Sequence, residues 1–297
     1  MDRDMGKITD QLSRGKILVS DGAWGTFLHS KGLKPGECPE LWNIEHAGEV
    51  FDIAKSYIEV GADMVETNSF GGSSFKLAHY GLSSRASEFN EAAAAISRKA
   101  AGDKLVLGSV GPTGKILMMG EVTPEEMYES FKEQVIALEK GGADAIIIET
   151  MTDLEEARLA VKAARENTTR EVICTMTFQK TPEGEFRSMM GVSPTEMVAE
   201  LVPEGVDIIG ANCGNGIEGM IQIVKEIRSC NSVIPILVHA NAGMPVFKDG
   251  MTLFPETAEQ TAGFVKAIIE AGVNIIGGCC GTTPEHIRHI SMVVNEL

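Results

Sequence analysis

The sequence predicts an α/β fold, a single-domain (β/α)8 TIM barrel over residues 1–297, on three observations. Apolar runs of strand length alternate with segments of helical period along the whole chain. Those runs are continuously apolar, as expected of parallel strands buried under helices on the outside. Eight such units fit within 297 residues, a length that suits one large barrel.

The strands fall, in order, in "KILVSDGA" from Lys16, "GADMVETNSF" from Gly61, "KLVLGSVGP" from Lys104, "GGADAIIIETM" from Gly141, "EVICTMTF" from Glu171, "GVDIIGANCG" from Gly205, "PILVHANAG" from Pro235 and "GVNIIGGCCG" from Gly272. Four of these open on a small-residue turn followed by an acid or amide. Amphipathic segments precede them, for example "VFDIAKSYIEV" from Val50, "YESFKEQVIALEK" from Tyr128 and "TAGFVKAIIEA" from Thr261, which have the period of helices. Ser/Thr or Pro before early acids marks helix starts near Thr123, Thr152, Ser193, Phe254 and Thr282. His29 to Asn43 reads as an elaborated, irregular loop after the first strand. An open doubly wound sheet is the alternative, but "SDGAWGTF" lacks the third glycine of a dinucleotide fingerprint.

Composition narrows the function. Acidic residues outnumber basic ones 42 to 26, for a formal charge of −16; such a surface repels phosphate backbones, so no nucleic-acid partner is expected. The longest apolar runs are far short of the roughly 20 residues that span a bilayer, so no membrane segment is expected. Six cysteines in this length are too sparse for a disulfide scaffold, and no signal peptide is evident; a reducing cytoplasm is the expected location.

Active sites of such barrels lie at the C-terminal ends of the strands. Collected there are Asp21, Gly22, Glu66, Thr67, Asn68, Gly111, Pro112, Glu149, Thr150, Thr177, Asn212, Cys213, His239, Asn241, Cys279 and Cys280. Three of the six cysteines are absent from this set: Cys38 lies in the loop, Cys174 inside a strand and Cys230 at a helix end. Each reads as a small hydrophobe or incidental thiol. Cys213, Cys279 and Cys280 each close an even-numbered strand beside glycine, and alternate strands feed the same layers, so their thiols can converge. Adjacent side chains on a strand point oppositely, and Gly277, Gly278 and Gly281 are expected to supply the bend that turns the pair to one side. Three thiolates with an open fourth position favour a catalytic Zn²⁺. Structural or incidental thiols come second, and redox or nucleophilic use, with His239 as base, third.

A zinc site of three thiolates is a poor activator of water; it suits binding a substrate thiol as thiolate for alkylation. Asp21, Glu66 and Glu149 can hold an ammonium group, and free backbone N–H groups near Gly22 and Ala23 a carboxylate. Asn212 is a candidate for the open zinc position when substrate is absent, while His239 and Asn241 are expected to line the pocket.

These motifs resemble the zinc-dependent homocysteine S-methyltransferase family. The likeness runs from "DGAWGT" at Asp21 through "ETNSFG" at Glu66, "IIIET" at Ile146 and "GANCG" at Gly210 to "GGCCGTTPEHI" at Gly277. It implies zinc held by Cys213, Cys279 and Cys280, and homocysteine bound through zinc. Asp21 and Glu149 would lie near its amino group and the Gly22/Ala23 turn near its carboxylate, with Glu66, Asn68 and Asn212 in the substrate site. The "GGCCGTTPEHI" form is most similar to the homocysteine-binding module of cobalamin-dependent methionine synthases. The implied donor is methylcobalamin or another methylcorrinoid on a separate domain or protein, and the chain is then an excised module or a stand-alone subunit. "ETNSFGG" departs from the commoner threonine after the asparagine. The alternative is a zinc methyltransferase moving methyl from a methyl ether, methylamine, betaine or S-methylmethionine to a corrinoid protein or other thiol.

Overall fold

A computed structural model describes residues 6–248 and 251–297. Eight parallel strands follow one another around a barrel: β1 (Leu18–Val19), β2 (Met64–Glu66), β3 (Leu105–Val110), β4 (Ala145–Met151), β5 (Glu171–Met176), β6 (Ile208–Gly216), β7 (Ile236–Asn241) and β8 (Ile275–Gly278). Every sequence-predicted strand is present. The last joins the first, with Leu18 opposite Ile275. Between β1 and β2 the ring is drawn together by Asp63: its N–H donates to the Val19 carbonyl (2.7 Å) and its carboxylate accepts from the Val19 N–H (3.1 Å).

The apolar runs are explained by two packed faces. Leu18, Met64, Leu107, Ile147, Ile173, Ile208, Leu237 and Ile275 fill the barrel interior, while alternate residues such as Val65, Val106, Ile146, Val172, Ile209 and Val238 pack outward under the helices. Strands buried on both sides lose the polar alternation of a half-exposed sheet.

The helix starts are displaced slightly from the sequence expectation. Thr123 and Ser193 form capping boxes with Glu126 and Glu196, but Asp153, not Thr152, caps Leu154–Asn167, accepting from the N–H groups of Glu155 and Glu156. Thr257 caps Ala258–Glu270, with Gln260 completing the box, and Thr283 caps Pro284–Asn295. The loop expected at residues 29–43 is partly helical. Helix Gly25–Lys31 ends at Gly32, whose φ of 117° is the left-handed stop, and a 3-10 turn at Pro39–Leu41 leads into Trp42–Glu45.

One element was not foreseen. Helix Lys7–Ser13 closes the N-terminal end of the barrel, inserting Ile8 and Leu12 beneath the interior layer. Glu171, at the start of β5, accepts from the N–H groups of Ile8 and Thr9, both at 2.8 Å, and so caps the helix from another part of the chain. Among the described residues no helix is long and apolar enough to cross a membrane.

Candidate active site

A cavity of about 260 Å³ opens at the C-terminal ends of the strands. Of the predicted site residues, Gly22, Ala23, Glu66, Asn68, Glu149, Cys213, Cys279, Cys280 and His239 line it. Asp21 and Asn212 lie behind its wall, 1% and 0% exposed.

Two bulges build the site. In β6 Asn212 is opposite His239 of β7, but the next pairing is Gly216 with Asn241, so residues 213–215 bow out of the ladder. Cys213 takes a left-handed backbone, φ 57°, at the bulge. In β4 the register against β5 shifts between Ile148 and Met151, and Thr150 is likewise left-handed, φ 61°. Such angles cost a non-glycine residue about 1–3 kcal/mol and persist where surroundings over-determine them. The Asn212 side chain supplies that restraint: its Oδ1 accepts from the Thr150 N–H and the Thr175 hydroxyl, both at 2.8 Å. Its Nδ2 donates to the Thr150 hydroxyl (2.7 Å) and to Glu149 (3.3 Å). Asn212 therefore pins two bulges together across β5. Its oxygen is committed, which removes it as an occupant of an open metal position. The side-chain oxygen left without a partner beside the cysteines is that of Asn241, whose amide also hydrogen-bonds to the Cys213 sulfur.

The three predicted thiols do converge: the sulfurs of Cys213, Cys279 and Cys280 lie within 4.8 Å of one another. Within the cluster Cys213 is drawn down to about 3, by hydrogen bonds from the Cys279 and Cys280 thiols first and from the Gly214 N–H and Asn241 besides. Cys280 is correspondingly pushed up to about 12 and Cys279 well above its usual range. The glycines around the pair work differently from expectation. Only Gly281, φ 81°, uses the left-handed region. Gly277 and Gly278 serve close approach: a Cβ on Gly277 would stand 2.8 Å from the Asp21 carbonyl, and one on Gly278 2.2 Å from the Thr282 hydroxyl. Thr282, read in the sequence only as a helix start, donates to the Cys279 carbonyl (2.7 Å) and accepts from the Ala23 N–H (3.1 Å). The Ala23 N–H is thus not free for a substrate carboxylate, contrary to expectation.

Below the thiols lies a buried charged layer. Asp21 accepts from the Glu66 N–H (2.8 Å), the Trp24 indole (2.9 Å) and the Ser20 hydroxyl (3.1 Å); burial raises its carboxyl while His239 and these donors oppose the rise. Burial, and then the Asp21 charge, lift Glu66 well above the usual carboxylate range. Glu149, which accepts from the Ser109 hydroxyl, is lifted by burial and then by Glu66. Burial lowers His239, against the pull of Asp21 and Glu149.

Asn68 ties the elaborated loop to the barrel, donating to the Pro39 carbonyl (2.8 Å) and to Asn43 Oδ1 (3.1 Å). Through that loop a residue absent from the sequence expectations, Glu40, reaches the pocket wall, held by the Gly71 N–H (2.8 Å) and the Cys38 thiol. Cys38 and Cys174 are buried, Cys230 is exposed, and all six cysteines are free. Around the mouth, the loops after β2, β3, β5 and β7 expose large apolar side chains, among them Phe70, Met118, Met119, Met189, Met244 and Phe247.

The model of a family described as homocysteine S-methyltransferase matches residues 18–294. The chain belongs to the homocysteine S-methyltransferase family. It is 34% identical, over 98% of its length, to methionine synthase of Mycobacterium tuberculosis, and 32% identical, over 94%, to methionine synthase of Mycobacterium leprae. It spans only 25% and 24% of those relatives. Among solved structures, the oxidized form of the homocysteine methyltransferase MmuM from Escherichia coli superposes with a TM-score of 0.77 at 25% identity, covering 96% of this chain and 98% of that one. The metallated form of MmuM has a TM-score of 0.79 at 23% identity, covering 96% of this chain and 99% of that one, and shares the fold. The (β/α)8 barrel of this family member thus agrees with the sequence expectation.

Proposed function

We propose that the chain holds zinc through Cys213, Cys279 and Cys280, takes homocysteine at that centre and methylates its sulfur to give methionine. The observation that carries this reading is the convergence of three sulfurs within 4.8 Å on the wall of a pocket also lined by Glu66 and Glu149. The donor set fits the ion: soft thiolates at mutual distances within reach of one tetrahedral centre, with Asn241 supporting Cys213. Zinc, when bound by three thiolates, would supply a weakly Lewis-acidic ion that keeps an incoming sulfur as thiolate without quenching its nucleophilicity.

The chain's own residues place the substrate. Glu66 and Glu149 offer carboxyl oxygens to the substrate ammonium, with Asp21 directly behind them. Burial raises all three, and an arriving cation favours their charged forms. Asn212 positions rather than binds, since its amide is spent on Thr150, Thr175 and Glu149. Asn68 keeps the loop wall in place.

For the donor we propose methylcobalamin or another methylcorrinoid carried on a separate domain or protein. A methyl group borne by a macromolecule must be brought to the mouth, and the exposed apolar rim of Phe70, Met118, Met189 and Phe247 suits contact with a second surface. Six free thiols fit a reducing cytoplasm, the location we propose.

The test incubates zinc-loaded protein and homocysteine with methylcobalamin, S-methylmethionine or betaine and measures methionine. Formation with methylcobalamin is expected; if no donor yields methionine, the reading falls.

A further inference from the structure

Two buried polar atoms of the pocket lack a hydrogen-bond partner within the chain. His239 of β7 and Glu66 of β2 are buried and both line the pocket. His239 Nδ1 lies 3.3 Å from Glu66 Oε1, close but not aligned as a hydrogen bond, and Glu66 Oε1 and His239 Nε2 have no other partner. A buried polar atom left unpaired costs about 1–3 kcal/mol, so a pocket that keeps two of them is built to receive ligand atoms. The imidazole is placed by a glycine: a Cβ on Gly277 would stand 2.9 Å from His239 Cδ2, the carbon next to Nε2. Gly277 is opposite His239 in the β7–β8 ladder and lies two residues before Cys279. Any larger residue there would displace the ring from the foot of the segment that carries the cysteine pair.

The groups that face the ring fix its chemistry. Glu66 of β2 is on the Nδ1 side, Asp21 of β1 and Glu149 of β4 add negative charge, and the thiols of β6 and β8 share the pocket. In the tautomer that carries its N–H on Nδ1, the nitrogen on the Glu66 side, the imidazole has its free lone pair on Nε2. Homocysteine, on the reading given above, must shed its thiol proton inside this enclosed site.

We propose that His239, backed by Glu66, accepts the proton that homocysteine loses on entering the pocket. The S–H bond breaks, its electron pair stays on sulfur as thiolate, and the proton forms an Nε2–H bond of an imidazolium. Asp21 and Glu149 oppose the cost that burial puts on that cation. This inference rests on homocysteine being the substrate, and it assigns the proton a destination other than bulk water.

The test follows thiolate arrival by stopped flow in cobalt(II)-loaded protein, through the sulfur-to-metal charge-transfer band, for wild type and His239→Gln. The ligands are L-homocysteine and L-selenohomocysteine, whose selenol is already ionised at neutral pH and needs no acceptor. His239→Gln is expected to slow homocysteine by about 100-fold or more at neutral pH, leave selenohomocysteine within about twofold, and recover with homocysteine as pH rises toward the ionisation of the free thiol. Equal slowing of both ligands would mean that His239 only shapes the pocket, and no slowing of either would mean that water takes the proton; both results overturn the inference. Failure of wild type to bind either ligand would instead remove the homocysteine reading beneath it.

Discussion

Replacing Asn212 by alanine tests whether one amide sets the geometry of the cysteine cluster. The change strands the Thr150 N–H, the Thr150 hydroxyl and the Thr175 hydroxyl in a region where Asn212 itself is 0% exposed. Three neutral hydrogen bonds at a net of about 1 kcal/mol each give about 3 kcal/mol, before any cost of leaving the groups unpaired. For a chain of 297 residues that lowers Tm by about 5 °C. The left-handed backbones of Thr150 and Cys213, φ 61° and 57°, are then no longer held, and relief of about 1–3 kcal/mol of strain at each favours flattening the bulges. Cys213 would swing away from Cys279 and Cys280, and zinc affinity should fall about 10- to 100-fold, the usual effect of losing a residue that orients a ligand. Chelator competition measures the affinity, and thermal unfolding with and without zinc separates it from general stability. If Tm falls as expected while zinc affinity stays at the wild-type value, the cysteines hold their own geometry and the pinning argument is wrong.

Other substitutions probe the remaining parts. Cys213→Ser should abolish stoichiometric zinc and homocysteine binding together, read by metal analysis and calorimetry; retention of tight zinc would contradict the triad. Gly278→Ala drives a Cβ into the Thr282 hydroxyl and to 2.7 Å from the Thr282 Cβ, so the Cys279 segment must shift; reduced zinc affinity is expected, and a fully active variant would refute the close-packing role. Met118→Glu combined with Phe247→Glu, both exposed at the rim, should raise KM for a protein-borne methylcorrinoid at least about tenfold through like-charge and desolvation costs, yet leave free methylcobalamin unaffected; equal effects on both donors would show that the rim acts on the pocket. Glu171→Ala removes the acceptor for the Ile8 and Thr9 N–H groups and should cost about 1–2 kcal/mol, visible in urea unfolding without loss of zinc.

What was legible in the sequence and what was not divides along physical lines. The eight strands were readable because a strand buried on both faces is continuously apolar, a signal that needs no knowledge of partners. Cys213, Cys279 and Cys280 were readable because a strand end beside glycine is a position on one strand alone, and the barrel then supplies their neighbours. Helix Lys7–Ser13 was missed because it is short and buries only Ile8 and Leu12, and because its N-terminal cap comes from Glu171, far along the chain. The free backbone N–H assigned to Ala23 failed for the same kind of reason: the hydroxyl that consumes it belongs to Thr282. Glu40 gave no signal either, since a loop acid looks solvated until the Gly71 N–H and Cys38 enclose it.

The bulges show why Asn241, and not Asn212, stands beside the cysteines. Asn212 immediately precedes Cys213, so proximity in sequence favoured it as the residue facing the metal position. A register shift, however, is a property of two strands rather than one. Between Asn212 and Gly216 of β6 the ladder advances only from His239 to Asn241 on β7, and the surplus residues carry Cys213 outward while Asn212 stays in the wall. The same shift brings the Cys213 sulfur within hydrogen-bonding reach of the Asn241 amide from the neighbouring strand. A side chain next to a ligand in sequence is thereby made its anchor, and one nearly thirty positions away becomes its neighbour in space. The strain at Thr150 and Cys213 is stored where the proposed chemistry occurs, consistent with a site in which ligand placement, rather than local backbone preference, sets the conformation.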